Sequence, residues 1–143
     1  MTTCTRRIEW DAAHRVMRHE SKCATLHGHR YAAEITCQGD LDSVGRVVDF
    51  GEIKRLVGAW VDEVWDHTTI YNSLDTKLEA FLLDEVKQGK REPYAMEGEP
   101  TAENIAAALL EVANLLLANE RTGLRVIKVR VWETPNCYAE VVA

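Results

Sequence analysis

Residues 27–38 read His27-Gly28-His29-Arg30-Tyr31-Ala32-Ala33-Glu34-Ile35-Thr36-Cys37-Gln38. The stretch alternates. His27, His29, Tyr31, Ala33, Ile35 and Cys37 fall on one side, and Arg30, Glu34, Thr36 and Gln38 on the other. A period of two is the signature of a half-buried strand. Residues 3–14 alternate in the same way, with Cys4, Ile8, Trp10, Ala12 and His14 opposed to Thr5, Arg7, Glu9 and Asp11. Two such strands joined by residues 15–26 predict an antiparallel pair. The join is long for a hairpin, and loops of that length are usually functional.

The rest of the chain is read from this pair outward. Asp49 and Glu52 have capping-box spacing ahead of Ile53, Leu56, Val57, Trp60, Val61 and Val64, which recur at helical intervals. A second helix follows Pro100, with Thr101 as N-cap and Ile105, Leu109, Val112, Ala113, Leu116 and Leu117 as its buried stripe. Between them, Leu74, Leu78, Phe81 and Leu82 suggest a short helix, followed by a charged loop from Gly89 to Glu99. Ile127, Val129, Val131 and Glu133 share one face of a further strand, Thr134-Pro135-Asn136 signals a turn, and Tyr138 to Val142 returns. The order is ββααββ. It predicts an α+β domain over residues 1–143, with a four-stranded antiparallel sheet and helices on one face. Two open sheet edges invite assembly with further copies.

Composition limits the function. Of 143 residues, 46% are apolar and 28% charged, the range of a globular domain. A net charge of −6 without a basic tail argues against nucleic-acid binding. No apolar run approaches the roughly 18 residues of a membrane span. Met1-Thr2-Thr3-Cys4 has no signal-peptide core, so a cytoplasmic location is expected. The four cysteines include no Cys-x-x-Cys pair and are expected to be free thiols.

Chemistry concentrates near the first loop. His27 and His29 project from the same face of one strand, and His14 lies on the apolar face of its neighbour. Three histidines with an open fourth position describe a catalytic zinc centre. Hydrogen-bonded histidines at a strand start are the plainer alternative, which suits a lone His better than this in-phase set. Cys23, four residues before His27, sits among polar residues and is a candidate base or nucleophile, against the alternative of a buried apolar thiol. Asp66-His67 closes the first helix, either as an ordinary polar terminus or as an imidazole oriented by a carboxylate. Glu133 either emerges into solvent or grips the N–H groups of a nitrogen heterocycle. From His14 to Arg30 there are four basic residues and one acid, a local +3 against −9 elsewhere. That favours an anionic substrate such as a phosphate ester, unless it is merely solvated loop charge.

Six motifs occur in order: Asp11-Ala12-Ala13-His14-Arg15, Cys23-Ala24-Thr25-Leu26-His27-Gly28-His29, Val48-Asp49-Phe50, Trp65-Asp66-His67, Pro100-Thr101-Ala102-Glu103-Asn104 and Trp132-Glu133-Thr134. Together they resemble the 6-pyruvoyl-tetrahydropterin synthase / 6-carboxytetrahydropterin synthase family over nearly the whole chain. The resemblance implies the tunnelling fold, in which ββααββ subunits join their sheets into a barrel. The expected assembly is a homohexamer of two stacked trimers with active sites between subunits. It implies Zn2+ on His14, His27 and His29, holding the side-chain hydroxyls of a pterin triphosphate, 7,8-dihydroneopterin triphosphate. It assigns Cys23 as proton-abstracting thiol, Asp66 and His67 as relay, Glu133 as pterin anchor and Thr101 to the segment lining the pterin pocket. The stretch between Asn72 and Pro100 is longer than in compact members.

Two lyases on this scaffold compete. One forms 6-pyruvoyltetrahydropterin by eliminating triphosphate. The other also releases acetaldehyde to give 6-carboxy-5,6,7,8-tetrahydropterin, a step toward queuosine. The Cys-x3-His spacing here resembles the carboxy-forming branch. A zinc-bearing module without catalysis is a third reading, and the thiol base weighs against it.

Overall fold

The computed structural model describes residues 1–143. Strand β1 (Thr3–His14) pairs antiparallel with β2 (His27–Gln38) over its full length, from Thr3 opposite Gln38 to His14 opposite His27. On the far side of β2 lies β5 (Arg125–Thr134), and beyond it β6 (Cys137–Val142), both antiparallel. These are the four strands that the alternation predicts.

The sheet nevertheless has six strands, in the order β4 (Tyr94–Met96), β3 (Thr68–Asn72), β1, β2, β5, β6. This corrects the expected four-stranded antiparallel sheet: the sheet has two further strands and is mixed. Strand β3 (Thr68–Asn72) runs parallel to β1, with Ala12 opposite Thr68 and Ala13 opposite Thr69. Strand β4 (Tyr94–Met96) runs parallel to β3, inside what the sequence presents as a charged loop. At five and three residues, both are too short to carry a readable period. Their consequence for the site is large: the end of β1 that carries His14 lies inside the sheet and not on an open edge.

Three helices complete the fold. Residues 50–64 form α1, in which α-helical turns at Phe50–Ile53 and Ala59–Val64 flank a π-helical stretch, Lys54–Gly58. Asp49 caps it by accepting the Gly51 N–H at 2.7 Å. Glu52 does not close the expected capping box, because its carboxylate is bound by Arg55. Helix α2 spans Thr76–Lys87 and α3 spans Ala102–Leu117. Thr101 caps α3 through the Asn104 N–H at 3.3 Å, as the sequence indicates. In α2, Leu78 and Leu82 are buried against Tyr71, whereas Phe81, and Leu74 in the turn before the helix, are exposed. No helix is long and apolar enough to cross a membrane.

The core lies between one face of the sheet and helices α1 and α3. Ile8 and Trp10 of β1, Tyr31, Ala33 and Ile35 of β2 and Val129 and Val131 of β5 meet Ile53, Val57 and Val61 of α1 and Ile105, Leu109 and Ala113 of α3. One inward residue was misplaced by simple alternation. The β2–β5 register shifts between Thr36 and Cys37, which face Lys128 and Val126. Ile127 is the extra residue of this bulge, so Val126 is buried in its place. All four cysteines are free.

The contrast along α3 is testable by chemical denaturation. Leu109 is fully buried and Leu115 is 77% exposed. Leu109→Ala should cost about 2–5 kcal/mol, and Leu115→Ala no more than about 0.5 kcal/mol.

Candidate metal centre and active site

The strand register brings the three histidines together. His14 is the last residue of β1 and faces His27, the first of β2, while His29 faces Ala12. A period of two then turns His27 and His29 toward the same side as His14. One ring nitrogen from each lies within 4.8 Å of the others. His14 is buried and its partners are half-buried.

Hydrogen bonds fix the tautomers of two rings. His14 Nδ1 lies 2.7 Å from the Pro100 carbonyl oxygen, and His27 Nδ1 lies 2.5 Å from that of Thr25. A carbonyl can only accept, so each Nδ1 carries the proton and each neutral ring keeps its lone pair on Nε2. The two Nε2 atoms are 3.2 Å apart. Two lone pairs at that distance repel unless a cation lies between them. His29 Nε2 is buried and makes no well-directed hydrogen bond, although Glu133 Oε1 stands 3.2 Å away. Tetrahedral Zn2+ with Zn–N bonds of about 2.0–2.1 Å separates its ligand atoms by about 3.3 Å. Zinc-bound histidines commonly donate their second N–H to a carbonyl. The residues present therefore fit a divalent metal of the zinc type.

Burial holds the pKa of His14 below the ordinary histidine value, against the opposing pull of the Pro100 carbonyl and the Glu133 charge. Burial does the same at His29, where Glu133 again opposes it. Both shifts favour the neutral ring, the form that binds metal.

The thiol and the carboxylate stand beside this triangle. Cys23 lies in a short 3-10 turn, Lys22–Ala24, and is half-buried. It lines a cavity of about 240 Å³ with His14, Thr101, Glu103, Glu133 and Cys137. Glu133 Oε1 lies 3.2 Å from His29 Nε2. Four of the residues singled out from sequence thus share one cleft, and α3 opens onto it through its N-terminal turn.

Asp66 and His67 lie elsewhere. His67 borders a larger cavity of about 600 Å³ with Asp11, His29, Arg30 and Phe81, and this cavity does not contain Cys23. Their local geometry is nonetheless specific. His67 Nδ1 is 2.8 Å from Asp66 Oδ2, while Asp66 Oδ1 accepts the Asp11 N–H at 2.9 Å. The His67 N–H donates to the Asp11 carbonyl at 2.7 Å. His67 has a φ of 58°, a left-handed conformation costly for a residue with a side chain. Hydrogen bonds to the Asp11 backbone and to His67 leave the carboxyl pKa of Asp66 below its usual value, although partial burial acts against them. His67 is held by a carboxylate, as that motif suggests, but within one chain it does not line the cavity that Cys23 lines.

The sequence hides other members of the site. The carbonyls of Pro100 and Thr25 orient two ligands, and backbone atoms leave no compositional signal. Glu103 and Cys137 line the thiol cavity. Tyr31, in phase with His27 and His29, was legible by periodicity. Its hydroxyl is buried without a partner, and burial pushes its pKa far above the usual tyrosine value.

The fold is that of the T-fold pterin synthases. The family model described as 6-pyruvoyl tetrahydropterin synthase matches residues 3–143, and the chain belongs to that family. It is 43% identical to a Rickettsia bellii protein named 6-carboxy-5,6,7,8-tetrahydropterin synthase, across 99% of this chain and all of the relative. A protein of the same name from Haemophilus influenzae is 28% identical, with 98% of each chain covered. Among solved structures, Caenorhabditis elegans 6-pyruvoyl tetrahydropterin synthase superposes with a TM-score of 0.70 at 24% identity, over 99% of this chain and 95% of that one. An uncharacterised protein of Wolinella succinogenes reaches 0.82 at 23% identity, over 99% and 97%. Both show the fold.

The lowered histidine pKa values set a pH dependence for the metal-free protein. Below the ordinary histidine pKa of about 6.5 the unfolded chain binds more protons than the folded one. Stability should be fully present above that pH and decline as pH falls through it toward the folded-state values. Thermal melts of the metal-free protein check this, and His14→Phe should flatten the decline.

Proposed function

We propose that this protein is a zinc-dependent 6-carboxy-5,6,7,8-tetrahydropterin synthase. It converts 7,8-dihydroneopterin triphosphate and one water to 6-carboxytetrahydropterin, acetaldehyde and triphosphate, as a carbon–carbon and carbon–oxygen lyase of the queuosine route in the cytoplasm. The observation that carries the reading is the cleft shared by Cys23, Glu133 and His14, the last of which converges with His27 and His29 in the histidine triangle. The Cys-x3-His spacing supports the carboxy-forming product, as does the name of the 43% identical relative.

His14, His27 and His29 would hold the zinc, which when bound supplies a Lewis acid for the substrate's side-chain hydroxyls. Glu133 accepts the 2-amino and ring N3 hydrogens of the pterin, a charge-assisted pair that fixes the heterocycle. Thr101 and the first turn of α3 line the pterin pocket. With the ring held there, Cys23 removes the proton from the side-chain carbon next to the hydroxyls. His67, steered by Asp66, passes a proton to or from the side-chain oxygen. Because His67 lies outside the thiol cleft of its own chain, the Asp66–His67 pair of a neighbouring copy serves each site. This requires a homo-oligomer, a hexamer of two trimers by family resemblance, with the β6 edge available for pairing.

Product analysis with the zinc-loaded protein is the test. Acetaldehyde and triphosphate in equal amounts are expected. Triphosphate with 6-pyruvoyltetrahydropterin and no acetaldehyde would instead identify the pyruvoyl-forming enzyme, and no turnover would leave a binding module. Cys23→Ala should keep its zinc and lose acetaldehyde release by at least about a hundredfold. Glu133→Gln should weaken pterin binding without loss of zinc, as read by titration with a pterin product.

A further inference from the structure

Glu99 precedes Pro100 and belongs to none of the groups assigned above. Its side chain is only 12% exposed. The carboxylate is fully engaged: Oε2 accepts the Met17 N–H at 3.1 Å, and Oε1 accepts the Arg18 N–H at 3.2 Å and Arg18 Nε at 3.0 Å. Two successive backbone N–H groups converging on one anion form a nest. Here the protein supplies its own anion, from a residue 81 positions away.

Met17 and Arg18 stand at the neck of the loop that carries Cys23. The neck is closed by the Val16 N–H donating to the Cys23 carbonyl at 2.9 Å and by the His19 N–H donating to that of Val16 at 3.0 Å. The amides held by Glu99 therefore adjoin the amide that holds Cys23. On its other side, Glu99 is tied to α3, since its own carbonyl accepts Asn104 Nδ2 and the Thr101 N–H, each at 2.8 Å. The next carbonyl in the chain, that of Pro100, receives the His14 Nδ1–H. One residue thus links the thiol loop to the backbone that orients a metal ligand.

We propose that Glu99 is a positioning residue that sets where the Cys23 thiol stands relative to the histidine centre. The inference rests on the reading of Cys23 as the proton-abstracting base. Arg15 makes a separate tie, a two-pronged pair with Asp75 at 2.6 Å, on the His14 side of the Val16–Cys23 closure. Glu99 acts on the loop side of that closure. Misplacing a reacting group by about 1 Å can cost about a hundredfold in rate, so a brace on this loop is read in turnover while the fold and the zinc remain.

The test compares Glu99→Gln with wild type, both zinc-loaded. The amide keeps the bulk, but its NH2 end cannot accept the N–H that the carboxylate oxygen holds. Amide hydrogen exchange at Met17 and Arg18 should accelerate at least about tenfold, and iodoacetamide labelling of Cys23, followed by peptide mass, should change in rate. Acetaldehyde release should lose about tenfold or more in kcat with KM within about twofold. Glu99→Asp should recover part of that loss. Arg18→Met removes the guanidinium and leaves both backbone bonds, so it should retain the exchange protection at positions 17 and 18 that Glu99→Gln loses. Wild-type exchange at Met17 and Arg18 in Glu99→Gln would overturn the proposal, as would unchanged kcat and Cys23 labelling once that protection is lost. If wild type itself releases no acetaldehyde, the assigned reaction fails, while exchange and labelling still decide the role of Glu99.

Discussion

The antiparallel register that sets His14 against His27 is the constraint on which the rest depends. It is enforced along the whole β1–β2 pair by the core face, where Trp10 stacks on Tyr31 with ring centroids 5.2 Å apart. A slip of one residue would turn every side chain of one strand to the other face. Trp10 would leave the core, and the three imidazoles would no longer converge. Hydrophobic burial thereby fixes a polar site that contributes little apolar area of its own. The parallel strand β3 beside Ala12 and Ala13 adds a second restraint at the same end of β1.

The site that results is built from opposed demands. Burial disfavours charge on His14 and His29, yet the lone pairs of His14 and His27 face each other at 3.2 Å. A bound cation meets both conditions, because neutral rings bind it best and its charge relieves the repulsion. Carbonyls from two separate segments, at Thr25 and Pro100, accept the Nδ1 hydrogens of His27 and His14 and fix the orientation of both rings. The loop with Cys23 and the turn before α3 are thus coupled to the metal centre through backbone atoms, and the Glu99 carboxylate joins the two segments directly.

Much of this was legible in the sequence where a period carried it. The alternation of residues 3–14 and 27–38 placed His14, His27 and His29 on one face, and the helical stripe from Ile105 to Leu117 located α3. What was not legible lacked either length or side-chain chemistry. Strands β3 and β4 are too short for a pattern, and both pair through a parallel edge that composition does not announce. The bulge at Ile127 changes phase without changing residue type. Asp66 and His67 looked like neighbours of the thiol because their motif is specific, but spacing along a chain does not say which cavity a helix terminus borders. Glu99 escaped notice because most of its partners are backbone N–H groups, which every residue has.

The histidine centre is the claim that supports the others. X-ray absorption at the zinc edge of the loaded protein measures it directly. The account predicts three imidazole nitrogens at about 2.0–2.1 Å with one further light atom, and loss of one imidazole in His29→Ala. A sulfur scatterer at about 2.3 Å, or fewer than three imidazoles in the wild type, would contradict it.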